Sequence, residues 1–174
     1  ADDTDTFTAH TTTSPNSNVI FLLDTSGSMK DRPQGKPNDP RKIDTVIEVF
    51  RKLIFDTEGA DPTAVNPKNN GLNFAIMQFN HNNNAATSGG YFISPLTTLD
   101  SNSKDTLWDA VSKLKANGWT PLAESAYEAS RFFDGKQPLY GATNNDSGIL
   151  EGTIYKSPFA QAIVEGECSI NNHL

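Results

Sequence analysis

The strongest constraint on the fold is a short apolar run that ends at an acidic residue and continues into hydroxyl-bearing residues. Residues 18–29 have the sequence NVIFLLDTSGSM. The run from Val19 to Leu23 is uninterrupted and includes β-branched and aromatic side chains. This composition predicts a strand that is buried on both faces, as strands are in the middle of an α/β sheet.

Oxygen-bearing side chains crowd the loop that follows this strand. Asp24, Ser26 and Ser28 stand at alternate positions, and Gly27 between the serines permits a tight turn. Open α/β sheets bind ligands at the carboxyl ends of their strands. Because hard divalent cations prefer oxygen ligands, the loop predicts a cation site, with Mg²⁺ as the first choice and Mn²⁺ or Ca²⁺ as alternatives. The same residues would also suit an ordinary capped turn without an ion.

Two separated motifs resemble those of the von Willebrand factor A family. DTSGS at residues 24–28 matches the DxSxS metal-ion-dependent adhesion motif of that family, including the hydrophobic strand before it. GWTPL at residues 118–122 is similar to the loop that carries the family's metal-binding threonine in front of a helix. Both motifs occur in the order that the family has, and together they are far more specific than either alone.

The resemblance implies a residue-by-residue assignment of metal ligands. Ser26, Ser28 and Thr120 would bind the ion directly through their hydroxyls, and Asp24 would bind it directly or through water. Taken alone, Thr120 would also fit a plain helix N-cap before a proline. An ion with so few anionic ligands would accept a carboxylate from outside, which is expected of an adhesion module that is not an enzyme.

The resemblance also implies a Rossmann-like α/β fold, in which helices flank a mostly parallel central sheet. Asp39-Pro40 predicts the start of a helix that ends near Phe55 and has one apolar face. Leu72 to Phe79 is apolar on both faces and is predicted to lie beside the first strand. The resemblance implies that Tyr91 to Leu96 is the short antiparallel edge strand, and Pro95 fits an edge.

Two further helices are expected downstream. Ser101 or Ser103 would cap the first of them, and Gly118 would end it. Thr120-Pro121 would open the second helix. The packing face predicted for this second helix consists of Leu122, Ala123, Ala126, Tyr127 and Ala129.

The chain of 174 residues has the size of one domain. Residues 1–17 are polar and are predicted to form a flexible leader, and residues 18–174 are interpreted as a partial von Willebrand factor A domain. Ile170 to Leu174 would begin another central strand, and the acidic loop that follows such a strand in the family is missing. The fold is therefore expected to be incomplete at its carboxyl terminus and to be completed by the remainder of its own polypeptide.

Residues 133–166 are predicted to form an irregular insertion, because glycines and prolines interrupt any period there. A structureless stretch of this length inside a domain is more often functional or disordered than filler. Tyr140, Tyr155 and Phe159 are the residues expected to anchor it, and the alternative is that they form part of a binding surface.

The composition excludes several classes of function. The formal net charge of −7 argues against binding to nucleic acid or to an anionic membrane surface. No apolar stretch reaches the roughly 18 residues that a membrane-spanning helix needs, so no membrane span is expected. Cys168 is the single cysteine and cannot form an internal disulfide, and the three histidines do not have the spacing of zinc ligands.

Within the family, the chain resembles bacterial type IV pilus tip adhesins. The similarity lies in GWTPLAE at residues 118–124, in Tyr127-Glu128-Ala129 and Phe132-Phe133, and in an insertion that ends at Cys168. It implies an extracellular or cell-surface adhesin at the pilus tip, exported through the periplasm. The partners implied are a protein ligand that offers a carboxylate to the metal, a host or surface receptor, and minor pilins.

Two enzyme classes use an aspartate in a related sequence. An aspartic protease would use Asp24 in a dimer, but the chain has no second copy of the motif, and residues 39–55 predict a helix where that fold needs strands. An aspartyl phosphatase would need a second carboxylate as acid and base, and Ser26 occupies that position.

Overall fold

The computed structural model describes residues 18–33, 35–80, 89–141 and 145–159. Several sequence predictions fall outside these ranges: the leader at residues 1–17, the strand Ile170–Leu174, Cys168, and the last part of the insertion, residues 160–166. The fold is a mixed α/β arrangement in which helices cover both faces of a three-stranded sheet.

The sheet combines one parallel and one antiparallel pair of strands. Strand β1, Asn18–Leu23, pairs in parallel with β2, Asn73–Phe79, with Val19 opposite Phe74. Strand β3, Gly90–Thr98, pairs with β2 in antiparallel orientation, so the order is β1-β2-β3. The predicted neighbour of the first strand and the antiparallel strand beyond it are thus confirmed. The prediction that the first strand is buried on both faces in the middle of the sheet is wrong for the described residues, because β1 pairs with β2 alone and only its last residue, Leu23, is buried.

Strand β2 contributes to a separate hydrophobic cluster on each face of the sheet, because alternate side chains of a strand point to opposite faces. Phe74 and Ile76 lie in the cluster that contains the buried residues of the first two helices. Ala75 and Met77 lie in the cluster on the other face. All four side chains are fully buried, as predicted for a strand that is apolar on both faces.

Helix α1 spans Lys42–Ile54 and lies between β1 and β2 in the chain. The prediction that it begins at Asp39-Pro40 is wrong. Its first turn is closed by Asp44, whose Oδ2 accepts a hydrogen bond of 3.0 Å from the backbone N–H of Arg41. The predicted end near Phe55 and the apolar face are confirmed, since Ile43, Phe50 and Ile54 are buried.

Helix α2 spans Lys104–Ser112 and follows Ser103, one of the two predicted caps. The Ser103 hydroxyl donates to the carbonyl of Thr98 at 2.6 Å, which ties the start of the helix to the end of β3. The prediction that Gly118 ends this helix is wrong, because the helical residues end at Ser112. Gly118 belongs to the loop between the helices and has a φ of +76°.

Helix α3 spans Leu122–Phe133, and its predicted packing face is wrong. Its buried residues are Ser125, Glu128 and Phe132, whereas Leu122 and Tyr127 are 58% and 50% exposed. The polar residues can be buried because their hydrogen bonds are satisfied. The Ser125 hydroxyl, for example, donates to the carbonyl of Pro121 at 2.7 Å.

The described part of the insertion after α3 is ordered by contacts with the edge strand. Asn145 Oδ1 accepts a 2.9 Å hydrogen bond from the N–H of Phe92, and the N–H of Asp146 donates to the carbonyl of Phe92 at 2.8 Å. A short 3-10 helix, Ser147–Ile149, then leads into a hairpin of β4, Leu150–Glu151, and β5, Ile154–Tyr155. The insertion therefore covers part of the outer edge of β3.

Aromatic side chains fix this insertion, as predicted. Tyr155 is buried, and its hydroxyl donates a short hydrogen bond to the Glu128 carboxylate. Phe159 stacks on Phe133 with the ring centroids 5.5 Å apart. The Tyr140 side chain lies against Gly89, where an added Cβ would clash with it.

Among the described residues, none of the helices combines the length and the apolar character that crossing a bilayer requires.

Candidate functional site

The residues of the DTSGS loop adopt a compact turn directly after β1. Asp24 Oδ1 accepts a 2.8 Å hydrogen bond from the backbone N–H of Ser26, which folds the loop back over the end of the strand. Ser28 stands in a 3-10 helix that spans Gly27–Lys30. Ser26 is buried and Ser28 is exposed, so the loop runs from the interior to the surface between these two residues.

The two serine hydroxyls of this loop are hydrogen-bonded to each other. Ser26 Oγ and Ser28 Oγ are 3.2 Å apart. Adjacent ligands of an octahedral Mg²⁺ ion, with bonds of about 2.1 Å, are separated by about 3.0 Å. The spacing of the two oxygens therefore suits neighbouring positions in the coordination shell of a small cation.

Two backbone hydrogen bonds join the DTSGS loop to the loop that precedes α3. The N–H of Gly27 donates to the carbonyl of Gly118 at 2.9 Å, and the N–H of Asn117 donates to the carbonyl of Thr25 at 2.7 Å. The two motifs that the sequence singled out, which are distant along the chain, are thus held side by side. Each hydrogen bond uses main-chain atoms only, so the serine hydroxyls take no part in the junction.

Glycine is favoured at both ends of the first of these bonds. A Cβ on Gly27 would lie 3.2 Å from the carbonyl oxygen of Gly118, closer than most Cβ contacts. Gly118 itself has a φ of +76°, in the left-handed region that residues with a Cβ adopt at a cost. A side chain at either position would therefore strain the close approach of the two loops.

Thr120 follows this junction and stands at the surface before α3. It lies two residues beyond Gly118, so its Cα is within about 8 Å of the Gly118 Cα by chain length alone. The carbonyl of Thr120 accepts a 2.9 Å hydrogen bond from the N–H of Leu122, in the turn around the buried Pro121. The backbone thus brings Thr120 to the same edge of the sheet as the two serines, and its role as a ligand stays a prediction.

Thr25 ties the DTSGS loop to the end of β2. Its side chain is fully buried, and its hydroxyl donates to the carbonyl of Phe79 at the end of β2 over 3.5 Å. The sequence offered no signal for this role, because a threonine between an aspartate and a serine fits many turns. The position of Gly118 was visible in the sequence, but its role as an acceptor for Gly27 was not.

The side chains that could hold a cation are one carboxylate and several hydroxyls. In the described ranges, no group of three or more His, Cys, Asp and Glu side chains is arranged to hold a metal ion. A cation at this edge would therefore depend on Asp24, Ser26, Ser28 and Thr120, together with water. This donor set fits Mg²⁺, which retains several waters and accepts oxygen ligands, better than it fits zinc.

Comparisons with known proteins find partial similarities to solved structures, of which two are described here. The chain matches no family model and no curated protein. A von Willebrand factor type A structure from Catenulispora acidiphila is 26% identical with a TM-score of 0.46, over 70% of this chain and 23% of that chain. An uncharacterized membrane spanning protein from Vibrio fischeri is 16% identical with a TM-score of 0.45, over 66% of this chain and 48% of that chain.

The chain therefore spans less than half of either similar structure. With TM-scores below 0.5, neither structure identifies the family or the function of this chain. The case for a cation site depends instead on the two motifs and on the hydrogen bonds that join them.

Proposed function

We propose that this chain is part of a von Willebrand factor A domain that binds a divalent cation, Mg²⁺ foremost, and uses it to bind other proteins. The observation that carries the proposal is the junction of the two loops by the Gly27–Gly118 and Thr25–Asn117 hydrogen bonds. Contact between the two loops is what a shared cation site requires.

The chemistry of the donor set supports binding rather than catalysis. With one carboxylate and three neutral hydroxyls, the ion would retain most of its positive charge and some of its water ligands. Such an ion attracts a carboxylate from a partner, whose oxygen replaces a water. In this proposal Asp24 is a metal ligand and not a nucleophile, and the module is not an enzyme.

The aspartic-protease alternative gains no support. Asp24 is followed by a 3-10 helix and then by α1, where a protease of that class would continue in strands. The finer assignment that we propose, an extracellular adhesin at a type IV pilus tip, is supported by the motif resemblance alone. This assignment also includes a complete Rossmann-like sheet, export through the periplasm, and minor pilins or a host receptor as partners.

Isothermal titration calorimetry with Mg²⁺, Mn²⁺ and Ca²⁺ tests the proposed metal site. The Asp24→Ala variant is expected to abolish the heat of binding. Thr120→Val removes the hydroxyl with little change in shape and is expected to weaken binding, whereas Thr120→Ser should retain it. Asp31→Ala, at a nearby exposed carboxylate, is the control and should bind as the wild type does. Equal binding by wild type and Asp24→Ala would refute the proposed metal site.

A further inference from the structure

The chain contains two asparagine-glycine pairs, Asn70-Gly71 and Asn117-Gly118. An asparagine in front of a glycine can lose its side-chain amide without an enzyme. The backbone nitrogen of the glycine attacks the asparagine side chain, and the missing Cβ leaves that nitrogen unhindered. The reaction needs an accessible side-chain amide and a glycine N–H that is not held by an acceptor. The structure shows a difference between the two pairs in the second requirement.

The two pairs are alike in exposure and in backbone conformation. Asn70 and Asn117 are both exposed, and within the described ranges neither side-chain amide has a hydrogen-bond partner. Gly71 has a φ of +86° and Gly118 has a φ of +76°, so both glycines adopt the left-handed conformation. A difference in reactivity therefore has to come from the partners of the two glycine N–H groups.

The two glycine N–H groups differ in their partners. The N–H of Gly71 donates to the carbonyl of Leu99 at 2.8 Å, just before β2 begins and just after β3 ends. Among the residues that the structure describes, the N–H of Gly118 has no acceptor and the carbonyl of Asn117 has no donor. The nitrogen of Gly71 must first leave its acceptor before it can react, whereas the nitrogen of Gly118 is not held.

We propose that Asn117 is a site of spontaneous deamidation. A base takes the proton of the Gly118 N–H, the nitrogen bonds to Cγ of Asn117, and the side-chain nitrogen leaves as ammonia. Water then opens the resulting cyclic succinimide. Addition of water at Cγ gives aspartate, and addition at the α-carbonyl carbon gives isoaspartate, whose main chain runs through Cβ and Cγ. The net change is one water consumed and one ammonia released, with no oxidation or reduction.

Isoaspartate at position 117 would alter the junction between the two loops. The N–H of Asn117 donates to the carbonyl of Thr25 at 2.7 Å, and the carbonyl of Gly118 accepts from the N–H of Gly27 at 2.9 Å. These two bonds flank the modified peptide group, and isoaspartate adds one main-chain atom between them. The loop in front of Thr120 therefore has to rearrange. This consequence, unlike the deamidation itself, rests on the proposed cation site.

Peptide mapping of the full chain by mass spectrometry, after incubation in mildly alkaline buffer, tests the modification. In the folded chain, Asn117 should be converted at least about fivefold faster than Asn70, the factor that corresponds to one net hydrogen bond at Gly71. In urea the two asparagines should be converted at similar rates, because unfolding removes the Gly71 bond. A folded-state rate at Asn70 that equals or exceeds the rate at Asn117 would overturn the proposal. So would conversion of Asn117 in urea alone.

Glutamine variants show whether the product arises at this asparagine. Asn117→Gln should stay unmodified over the same time, because glutamine would have to close a larger ring. Labelling by a protein-isoaspartate methyltransferase should then be lost from the peptide that contains residue 117. Asn70→Gln is the matched control and should leave this labelling unchanged. Equal labelling of this peptide in wild type and Asn117→Gln would refute the assignment.

Calorimetry with Mg²⁺ before and after incubation tests the consequence for the cation site. In the wild type the number of binding sites per chain should fall in proportion to the isoaspartate fraction at position 117. Incubated Asn117→Gln should bind as the fresh variant does. Full binding by wild type that has been converted to isoaspartate would overturn the consequence. If fresh wild type binds no Mg²⁺, the proposed cation site fails, and the mapping result at Asn117 still decides the deamidation.

Discussion

The buried carboxylate of Glu128 is predicted to be the main attachment of the insertion to the body of the fold. Its two oxygens accept hydrogen bonds from the N–H of Leu139 at 3.0 and 3.2 Å, from the N–H of Tyr140 at 2.9 Å, and from the Tyr155 hydroxyl. Glu128 is fully buried. Substitution by glutamine preserves the volume but replaces one acceptor oxygen with an NH₂ group that faces these donors.

The expected loss can be estimated from the donors that are left. A hydrogen bond to a charged group contributes about 1.5–3 kcal/mol, and each buried donor without a partner costs about 1–3 kcal/mol. Whichever way the glutamine amide is turned, at least one donor faces its NH₂ group. We therefore expect Glu128→Gln to lower the free energy of unfolding by about 2–4 kcal/mol. For a chain of this size that corresponds to a fall in Tm of about 4–16 °C.

Urea denaturation monitored by circular dichroism measures this loss. Glu151→Gln is the matched control, because Glu151 is exposed in β4 and the same substitution there should change the stability by less than about 0.5 kcal/mol. A loss below about 1 kcal/mol in Glu128→Gln, with an unchanged denaturant slope, would show that the carboxylate does not hold the insertion.

Three further predictions concern other parts of the fold. Gly118→Ala should cost about 1–2 kcal/mol in urea unfolding, because alanine is strained at a φ of +76°, and no loss would mean that the loop is not held in this conformation. Burial and the hydrogen bond to Glu128 raise the pKa of the Tyr155 hydroxyl, so this stabilisation is present below about pH 10 and is lost as the pH rises above it. Unfolding measured from pH 8 to 11 should therefore show a shallower decline in Tyr155→Phe than in the wild type, and equal slopes would contradict the assignment. Phe132→Ala should cost about 3–5 kcal/mol, whereas Leu122→Ala on the exposed face of α3 should cost less than about 0.5 kcal/mol. If Leu122→Ala lowered the Tm more than Phe132→Ala does, the packing face predicted from the sequence would be correct.

Hydrophobic patterning predicted the position and burial of β2 well, but it predicted the same burial for β1, which lies at an edge of the described sheet. Leu72 to Phe79 is apolar at nearly every position, and only a central strand can bury both of its faces. The helices that cover the sheet were predicted for the same reason. Their ends were predicted less well, because capping is decided by contacts of single side chains, such as the Asp44 carboxylate on the N–H of Arg41.

The packing face of α3 shows where patterning fails. Apolar residues occur on both sides of this helix, and the sequence gives no reason to bury Glu128 in place of Tyr127. The decision depends on donors in the insertion, Leu139 and Tyr140, whose position becomes known only from the tertiary fold. A buried acidic residue of this kind becomes predictable only when its partners are known.

The candidate cation site was predicted from two motifs, and the structure adds how they meet. Side chains in a sequence motif indicate the chemistry, but the junction is made by main-chain atoms of Gly27 and Gly118, which a motif does not show.

Paramagnetic broadening by Mn²⁺ tests the central claim, that the two loops share one cation, most directly. Added to the ¹⁵N-labelled chain, Mn²⁺ should broaden the amide signals of Ser26, Ser28 and Thr120 together at low occupancy, and excess Mg²⁺ should restore them. In Asp24→Ala the same signals should stay sharp. Broadening that is confined to other acidic surfaces, or that affects the serines without Thr120, would contradict the shared site.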